Sequence, residues 1–264
     1  MMEAMLRFGV FIGILLLMAI WEALSPTRHL RIPRRQRWLI NLGLAALNVG
    51  VMRISIGAAA WSAANWAVVQ HLGLLNHLAV PGWLNILLSL LLLDLAIYAQ
   101  HVAAHRWQWF WRLHQVHHSD LDFDTSTAVR FHPIEIMLSM AYKVLLVIVL
   151  GADPMAVIAF EIILNGCALF NHGNVSLPPL VERMLRYLLV TPNMHRIHHS
   201  ARQQETDSNF GFSLSCWDRL FKTYCHQSQQ PQAEMTIGLN GFRDRHELGF
   251  FQLLAMPFRP LRKH

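Results

Sequence analysis

At 264 residues, with 54% hydrophobic and only 14% charged residues, the chain is too apolar for an ordinary soluble domain of its length and reads as a membrane protein. The net charge of +6 would suit nucleic acid, but the arginines gather in "RHLRIPRRQR" (28–37), between two apolar runs. There a positive-inside loop against anionic lipid is the better reading, and no nucleic-acid partner is expected.

The first apolar run, "FGVFIGILLLMAI", is followed by "WEALSP" rather than a small-x-small cleavage site. An uncleaved anchor over roughly residues 5–24 is therefore expected. A span needs about 20 apolar residues, and further candidates lie at 38–59, 82–101, 134–151 and 154–171. Residues 60–80 are apolar but broken by Asn, Gln and His, a pattern that suits an interfacial or re-entrant helix. The last two spans are separated only by "GADP" and predict a tight helical hairpin. Residues 172–264 are mixed and mostly polar and predict a cap. The expected architecture is all-α: a polytopic helical membrane protein of four to five spans with a cytoplasmic helical cap. Residues 1–81 would supply the membrane-anchor spans and 82–264 the histidine-bearing domain. With the arginine-rich loop cytoplasmic, span parity puts "HQVHHS" and "HRIHHS" on one membrane face. Cys167, Cys216 and Cys225 have no paired spacing and suggest neither disulfides nor a thiolate metal site.

Of sixteen histidines, nine fall in clusters: His101/His105, His114/His117/His118, His172, and His195/His198/His199. Residues at i, i+3 and i+4 share a helix face, so HxxxH offers two imidazoles and HxxHH three to one point, which is metal-ligand geometry. Imidazole suits Zn, Cu, Fe or Ni, and so many ligands exceed what one ion takes, so two ions are expected. His29, His71, His77, His226, His246 and His264 read as interfacial. Asp94 and Tyr98 share a face with His101 and His105, and an acid behind a ligating histidine would orient its ring. Asn171, beside His172, is a further candidate for ligation or support. His132, ahead of Pro133, is either another ligand or a helix cap. Trp107, Trp109 and Trp111 read as an interfacial aromatic belt. Lys143 and Glu161 each lie nine residues from Ala152, so antiparallel helices bring them to one depth, and an ion pair is expected.

These residues resemble the fatty acid hydroxylase / sterol desaturase superfamily of integral-membrane, histidine-box di-iron oxygenases. The likeness runs over roughly residues 90–260 through "DLAIYAQHVAAH", "HQVHHS", "RFHPIE", "FNHGN", "TPNMHRIHHS", "DSNFGFSLSCWDRLFKTY" and "GLNGFRDRHELGFFQLLAMPF". It implies that His101, His105, His114, His117, His118, His195, His198 and His199 ligate metal, and that His172 is the isolated histidine between the second and last boxes. Phe210 stands where a tyrosine is common, and Lys222 where a glycine is usual. No cytochrome b5-like segment is present, so a separate electron-donor protein is expected.

The resulting expectation is an oxidoreductase, a lipid hydroxylase or desaturase using two iron ions and O2 on a fatty acyl or sterol/isoprenoid-like C–H bond. No histidine need act as acid or base. Zinc, which stands above ferrous iron in affinity, is expected to fill the sites in some preparations. The alternatives are a zinc-dependent membrane lipid hydrolase or isomerase, and a metal transporter, whose ligands would line a path through the midplane. The expected location is a bacterial inner membrane. No oligomeric state is read from the sequence.

Overall fold

The computed structural model describes residues 2–55, 59–78 and 80–261; His264 lies outside them. In chain order the helices are α1 (Met2–Leu24), α2 (Arg34–Ser55), α3 (Ala59–Val69), the single turn α4 (Leu74–His77), α5 (Gly82–Arg106) and α6 (Gln108–His118). They continue with α7 (Pro133–Leu150), α8 (Pro154–Asn171), α9 (Pro179–Leu185), α10 (Pro192–His198), α11 (Gln203–Thr206), α12 (Cys216–Leu220) and α13 (Phe250–Ala255). The described residues contain two isolated β-bridges and no longer strand. Five segments are long and apolar enough to cross a membrane: Met5–Leu24, Arg34–His77, Gly82–Arg106, Pro133–Leu150 and Pro154–Asn171. The chain is an integral membrane protein.

The hairpin of α7 and α8 shows how the sequence builds these elements. Gly151 closes α7 in the left-handed conformation (φ 67°), Asp153 caps α8 by accepting from the amides of Met155 and Ala156, and Pro154 takes the first helical position. Four residues thus stop one helix and start the next. A Cβ on Gly151 would lie 2.8 Å from the Leu72 carbonyl oxygen, because the turn before α4 sits directly on the hairpin apex.

Within residues 60–80, read as an interfacial or re-entrant helix, α3 and α4 pack against this hairpin. α3 runs along α7 and α8, burying Ala60, Ala64 and Ala67, a stripe of small residues that lets backbones approach. Its neighbours are Leu93, Val147, Val157 and Phe160. The polar residues that suggested an interface satisfy themselves locally: Asn65 donates to Trp61 O (2.8 Å) and Asn76 to Leu72 O (2.6 Å). α3 thus leads to the hairpin apex, and α5 starts beside it, where Asn85 meets Gly151 O (3.4 Å) and the Asp153 amide (3.2 Å).

The arginine-rich loop also differs from expectation. Arg31 and Arg35 are exposed, but Arg28 and Arg37 are buried. Arg37 grips Asp120 with Nε and Nη2 (2.9 and 2.7 Å) and Asp124 with Nη1 (2.5 Å), tying α2 to the segment just after the first HxxHH box. Burial alone would raise the Asp120 carboxyl pKa, yet the Arg37 guanidinium holds it well below the usual range.

Lys143 Nζ lies 2.6 Å from Glu161 Oε1. Arg7 of α1 donates to the other carboxylate oxygen, so the cluster has three members rather than two. Because Glu161→Leu leaves two cations facing each other, it should cost about 3–5 kcal/mol, the penalty for breaking a buried pair. In thermal unfolding of detergent-solubilised protein, Glu161→Leu should lower the midpoint more than Lys143→Met. The triple change Arg7→Met, Lys143→Met, Glu161→Leu should recover most of that loss; a triple variant as unstable as Glu161→Leu would refute the pairing.

Candidate metal centre

Four helix ends deliver the histidines to one end of the bundle. His101 and His105 close α5; an extended Trp107 turns the chain (φ −98°, ψ 116°) into α6, which carries His114, His117 and His118. His172 is the C-cap of α8, and α10 supplies His195 and His198 with His199 as its C-cap. Eight of the nine are buried, and His105 is half-buried.

The nine sort into two groups. The first is His101, His105, His114, His118 and His198; the second is His117, His172, His195 and His199; within each, the candidate ligand nitrogens lie within 4.8 Å of one another. The HxxHH phrases therefore do not aim three rings at one point. The first box gives its i and i+4 rings, His114 and His118, to the first group and its i+3 ring, His117, to the second. The last box does the reverse, sending His195 and His199 to the second group and His198 to the first. Adjacent residues on a helix point about 100° apart, so His117 and His118 cannot share a focus, and each box straddles two.

Backbone and carboxylate acceptors fix the rings. Nδ1 donates from His101 to Phe210 O (2.8 Å), from His114 to Glu135 Oε1 (2.6 Å), from His172 to Ala168 O (2.8 Å) and from His198 to Ser208 O (2.7 Å). With the proton on Nδ1, the Nε2 lone pair faces inward. Burial, reinforced by the neighbouring imidazoles, lowers the ring pKa values, to about 3 for His198 and well below normal for His117, His118, His195 and His199. The rings are therefore neutral at pH 7.

This arrangement tests whether metal fits. His101 Nε2 and His198 Nε2 stand 3.0 Å apart, yet both rings place their proton on Nδ1, so two lone pairs face each other without a hydrogen bond. The Nε2 atoms of His172 and His195 are 3.1 Å apart and those of His105 and His118 3.2 Å. Two imidazoles bound to one cation at about 2.1 Å stand roughly 3.0–3.4 Å apart. Buried His114 Nε2 and both nitrogens of His199 have no hydrogen-bond partner. The donor set fits two cations of the class imidazole prefers.

The remaining candidates stand elsewhere. His132 is the N-cap of α7: Nδ1 accepts from the Ile134 amide and Nε2 contacts Leu254 O, each at 3.2 Å, so of the two readings the cap holds. Asp94 does not back His101; its Oδ2 accepts from the Trp217 indole (2.8 Å) and the Leu214 amide (3.2 Å), anchoring the cap to α5. Tyr98 likewise bonds Thr223 Oγ1 (2.9 Å), and Asn171 donates to Phe212 O (2.9 Å). Sharing a helix face with a histidine was insufficient because the rings turn toward the cap loop. His29, His71, His77, His226 and His246 are exposed.

The sequence reading missed Glu135 and Asp218. Glu135 lies inside "RFHPIE" and is the only acid in α7. Asp218 accepts from the amides of Phe210 and Gly211 (both 2.8 Å) and from Thr223 Oγ1 (2.7 Å), holding the loop whose carbonyls meet His198 and His101. A Cβ on Gly211 would lie 2.7 Å from Asp218 Oδ2, which explains the glycine in "NFGFSLSCWD". Lys222 has φ 60°, the conformation glycine adopts most easily.

Removing such a supporting partner typically weakens metal affinity 10–100-fold. Glu135→Ala and Asp218→Ala should therefore lose bound metal during dialysis against a chelator that leaves the unaltered protein loaded, with helical circular dichroism unchanged. Metal retention equal to the unaltered protein would remove either residue from this role. In metal-free protein, folded-state pKa values near 3 for His172 and His198 mean that between about pH 6.5 and 3 the unfolded chain binds protons the folded chain does not. Stability should therefore fall as pH drops through that window and level off above it, read as the unfolding midpoint against pH.

The profile of the fatty acid hydroxylase family matches residues 86–223. Ornithine lipid hydroxylase OlsE of Rhizobium tropici is 26% identical over 254 residues, 94% of this chain and 74% of that protein. Human alkylglycerol monooxygenase is 30% identical over 56% of this chain, which spans only 32% of its length. Rat cholesterol 25-hydroxylase is 25% identical over 53% of this chain and 46% of its own. No solved structure matches. With the matched region covering more than half the chain and containing all nine clustered histidines, the protein belongs to the fatty acid hydroxylase family and is an oxidoreductase.

Proposed function

We propose that the protein is an O2-dependent di-iron enzyme that hydroxylates a lipid C–H bond, with His101, His105, His114, His118 and His198 holding one iron and His117, His172, His195 and His199 the other. The carrying observation is that His101 and His114 form the inner wall of a cavity of about 570 Å³, otherwise lined mainly by residues such as Ile97, Ala104, Leu164 and Phe212. Cavities that bind small ligands fall in this size range. Hydroxylation is favoured over desaturation because each of the three relatives is a hydroxylase or monooxygenase.

Iron bound at these rings supplies the redox chemistry that an unactivated C–H bond requires and side chains lack. The protein's own work is placement. Neutral imidazoles present lone pairs without competing for protons, Glu135 fixes His114 from the cavity side, and Phe131 and Phe212 line the approach and keep water from the reacting carbon. Electrons come from a separate donor protein. Both histidine groups lie at the bundle end that carries the exposed Arg31 and Arg35, so the positive-inside tendency puts this end in the cytoplasm. Gathering at one end also argues against a transporter, whose ligands would follow a path through the midplane.

The test is iron-loaded protein in vesicles made from host membrane lipids, supplied with a reductant and isotopically labelled dioxygen. A lipid that gains one labelled oxygen atom is the expected product. Zinc-loaded protein should give none, and His101→Ala and His198→Ala should abolish the product while remaining membrane-inserted. Product formed by the zinc form without dioxygen would instead establish Lewis-acid chemistry.

A further inference from the structure

Two openings reach the histidines, and they differ in size and character. The cavity of about 570 Å³ takes its walls from α1, α2, α5, α7, α8 and the turn at 128–131. Three of its lining residues are exposed: Phe8 of α1 (67%), Val49 of α2 (57%) and Asn165 of α8. α1 and α2 meet at the histidine end, where Arg34 of α2 donates to Ala19 O and Glu22 of α1, and next to it Phe11 and Ile14 of α1 and Trp38 and Leu42 of α2 pack on a shared cluster of Leu15, Ala128, Ala168 and Leu169. Beyond that contact the cavity occupies the space between the two helices. All three lie within membrane-spanning segments, so this mouth faces hydrocarbon. The other opening, about 80 Å³, lies on the cap side between His105, Trp111, Gln203, Thr206 and Asp207.

We propose that the substrate is a membrane-resident lipid whose alkyl chain enters sideways from the bilayer, between α1 and α2 past Phe8 and Val49, rather than a chain delivered from water as a soluble thioester. This rests on the reading of the large cavity as the substrate site. An alkyl chain that slides past Phe8 and Val49 exchanges lipid contact for protein contact and never crosses water. Arg7 on this path is held by Glu161, Ser139 donates to Gln100 Oε1 (3.3 Å) and Asn48 donates to Phe131 O (3.0 Å), while Asn48 Oδ1, Glu135 Oε2 and His114 Nε2 have no hydrogen-bond partner among the described residues. The rest of the wall is mainly apolar, with Phe8, Phe11, Ile97, Ile136 and Leu164 among its residues. The cap-side opening, at about 80 Å³ against about 570 Å³, offers far less room for an alkyl chain and has the polar Gln203, Thr206 and Asp207 in its wall. α1 and α2 lie outside residues 86–223 matched by the family profile, while the other walls of the cavity lie within it.

The experiment uses full-length, iron-loaded protein in phosphatidylethanolamine–phosphatidylglycerol vesicles. In one arm a trace of the phospholipid carries a diazirine in its acyl chain; in the other the same acyl chain is added from water as its coenzyme A thioester. After irradiation, labelled residues are mapped by peptide mass spectrometry. The phospholipid arm should label the inner wall at Ala104, Phe131 and Phe212 as well as the outer residues Leu145 and Val149. Ala45→Trp, which narrows the mouth from α2, should suppress the inner labels and spare the outer ones; Val49→Trp serves if Ala45→Trp does not fold. Inner labels from the thioester alone, no inner labels from either probe, or inner labels untouched by a folded mouth variant would each overturn the proposal. Normal inner labelling without oxygen incorporation would count against the proposed reaction and leave the route standing, whereas turnover without inner labelling would do the opposite.

Discussion

Nine imidazoles are packed into one space, and His101 and His198 turn lone pairs toward one another at 3.0 Å. Left to themselves such rings would rotate to exchange a proton or reach water. Much of the surrounding structure prevents that. Each Nδ1 that is pinned by a carbonyl or by Glu135 leaves its ring one orientation, with the lone pair turned inward. Two of the pinning carbonyls, those of Ser208 and Phe210, belong to a loop that is itself shaped by Asp218, by the left-handed Asn209 (φ 52°) and by Gly211. The geometry at the centre is thus set by backbone positions a layer away.

A second layer fixes the cap to the bundle, and it is built from buried ions. Arg37 of α2 binds Asp120 and Asp124 directly behind the first HxxHH box. Glu22 of α1 accepts from the amides of Thr125 (2.7 Å) and Asn174 (2.9 Å) and pairs with Arg34. Asp94, well inside α5, reaches the cap through Trp217. Buried ionic groups of this kind contribute little net stability against an apolar alternative but penalise any arrangement that leaves them unpaired. Their presence between membrane helices and cap suits a site in which four helix ends must register against one another.

The molecule is also divided by solvent. Toward the bilayer the histidines border a large cavity with an exposed hydrocarbon rim; toward the cap they border an opening an order of magnitude smaller with Gln203, Thr206 and Asp207 in its wall. Under the proposed function, such a division separates a greasy substrate from water. Phe210 sets its ring against His101, His105 and His198.

Much of this was legible in the chain itself. Apolar runs of span length set the membrane helices, "GADP" specified its hairpin through local φ preferences and capping, and the repeated histidine spacing announced a metal-ligand site, because each of these is a property of neighbouring residues on one helix. Tertiary structure decided what depends on where separate helices meet. It divided each HxxHH box between two foci, turned Asp94 and Tyr98 to the cap instead of the rings, laid α3 against the hairpin on its alanine stripe, and added Arg7 to the Lys143–Glu161 pair. Periodicity reports which residues share a face, but the partner of that face is chosen by packing between elements distant in sequence, and no local spacing encodes it.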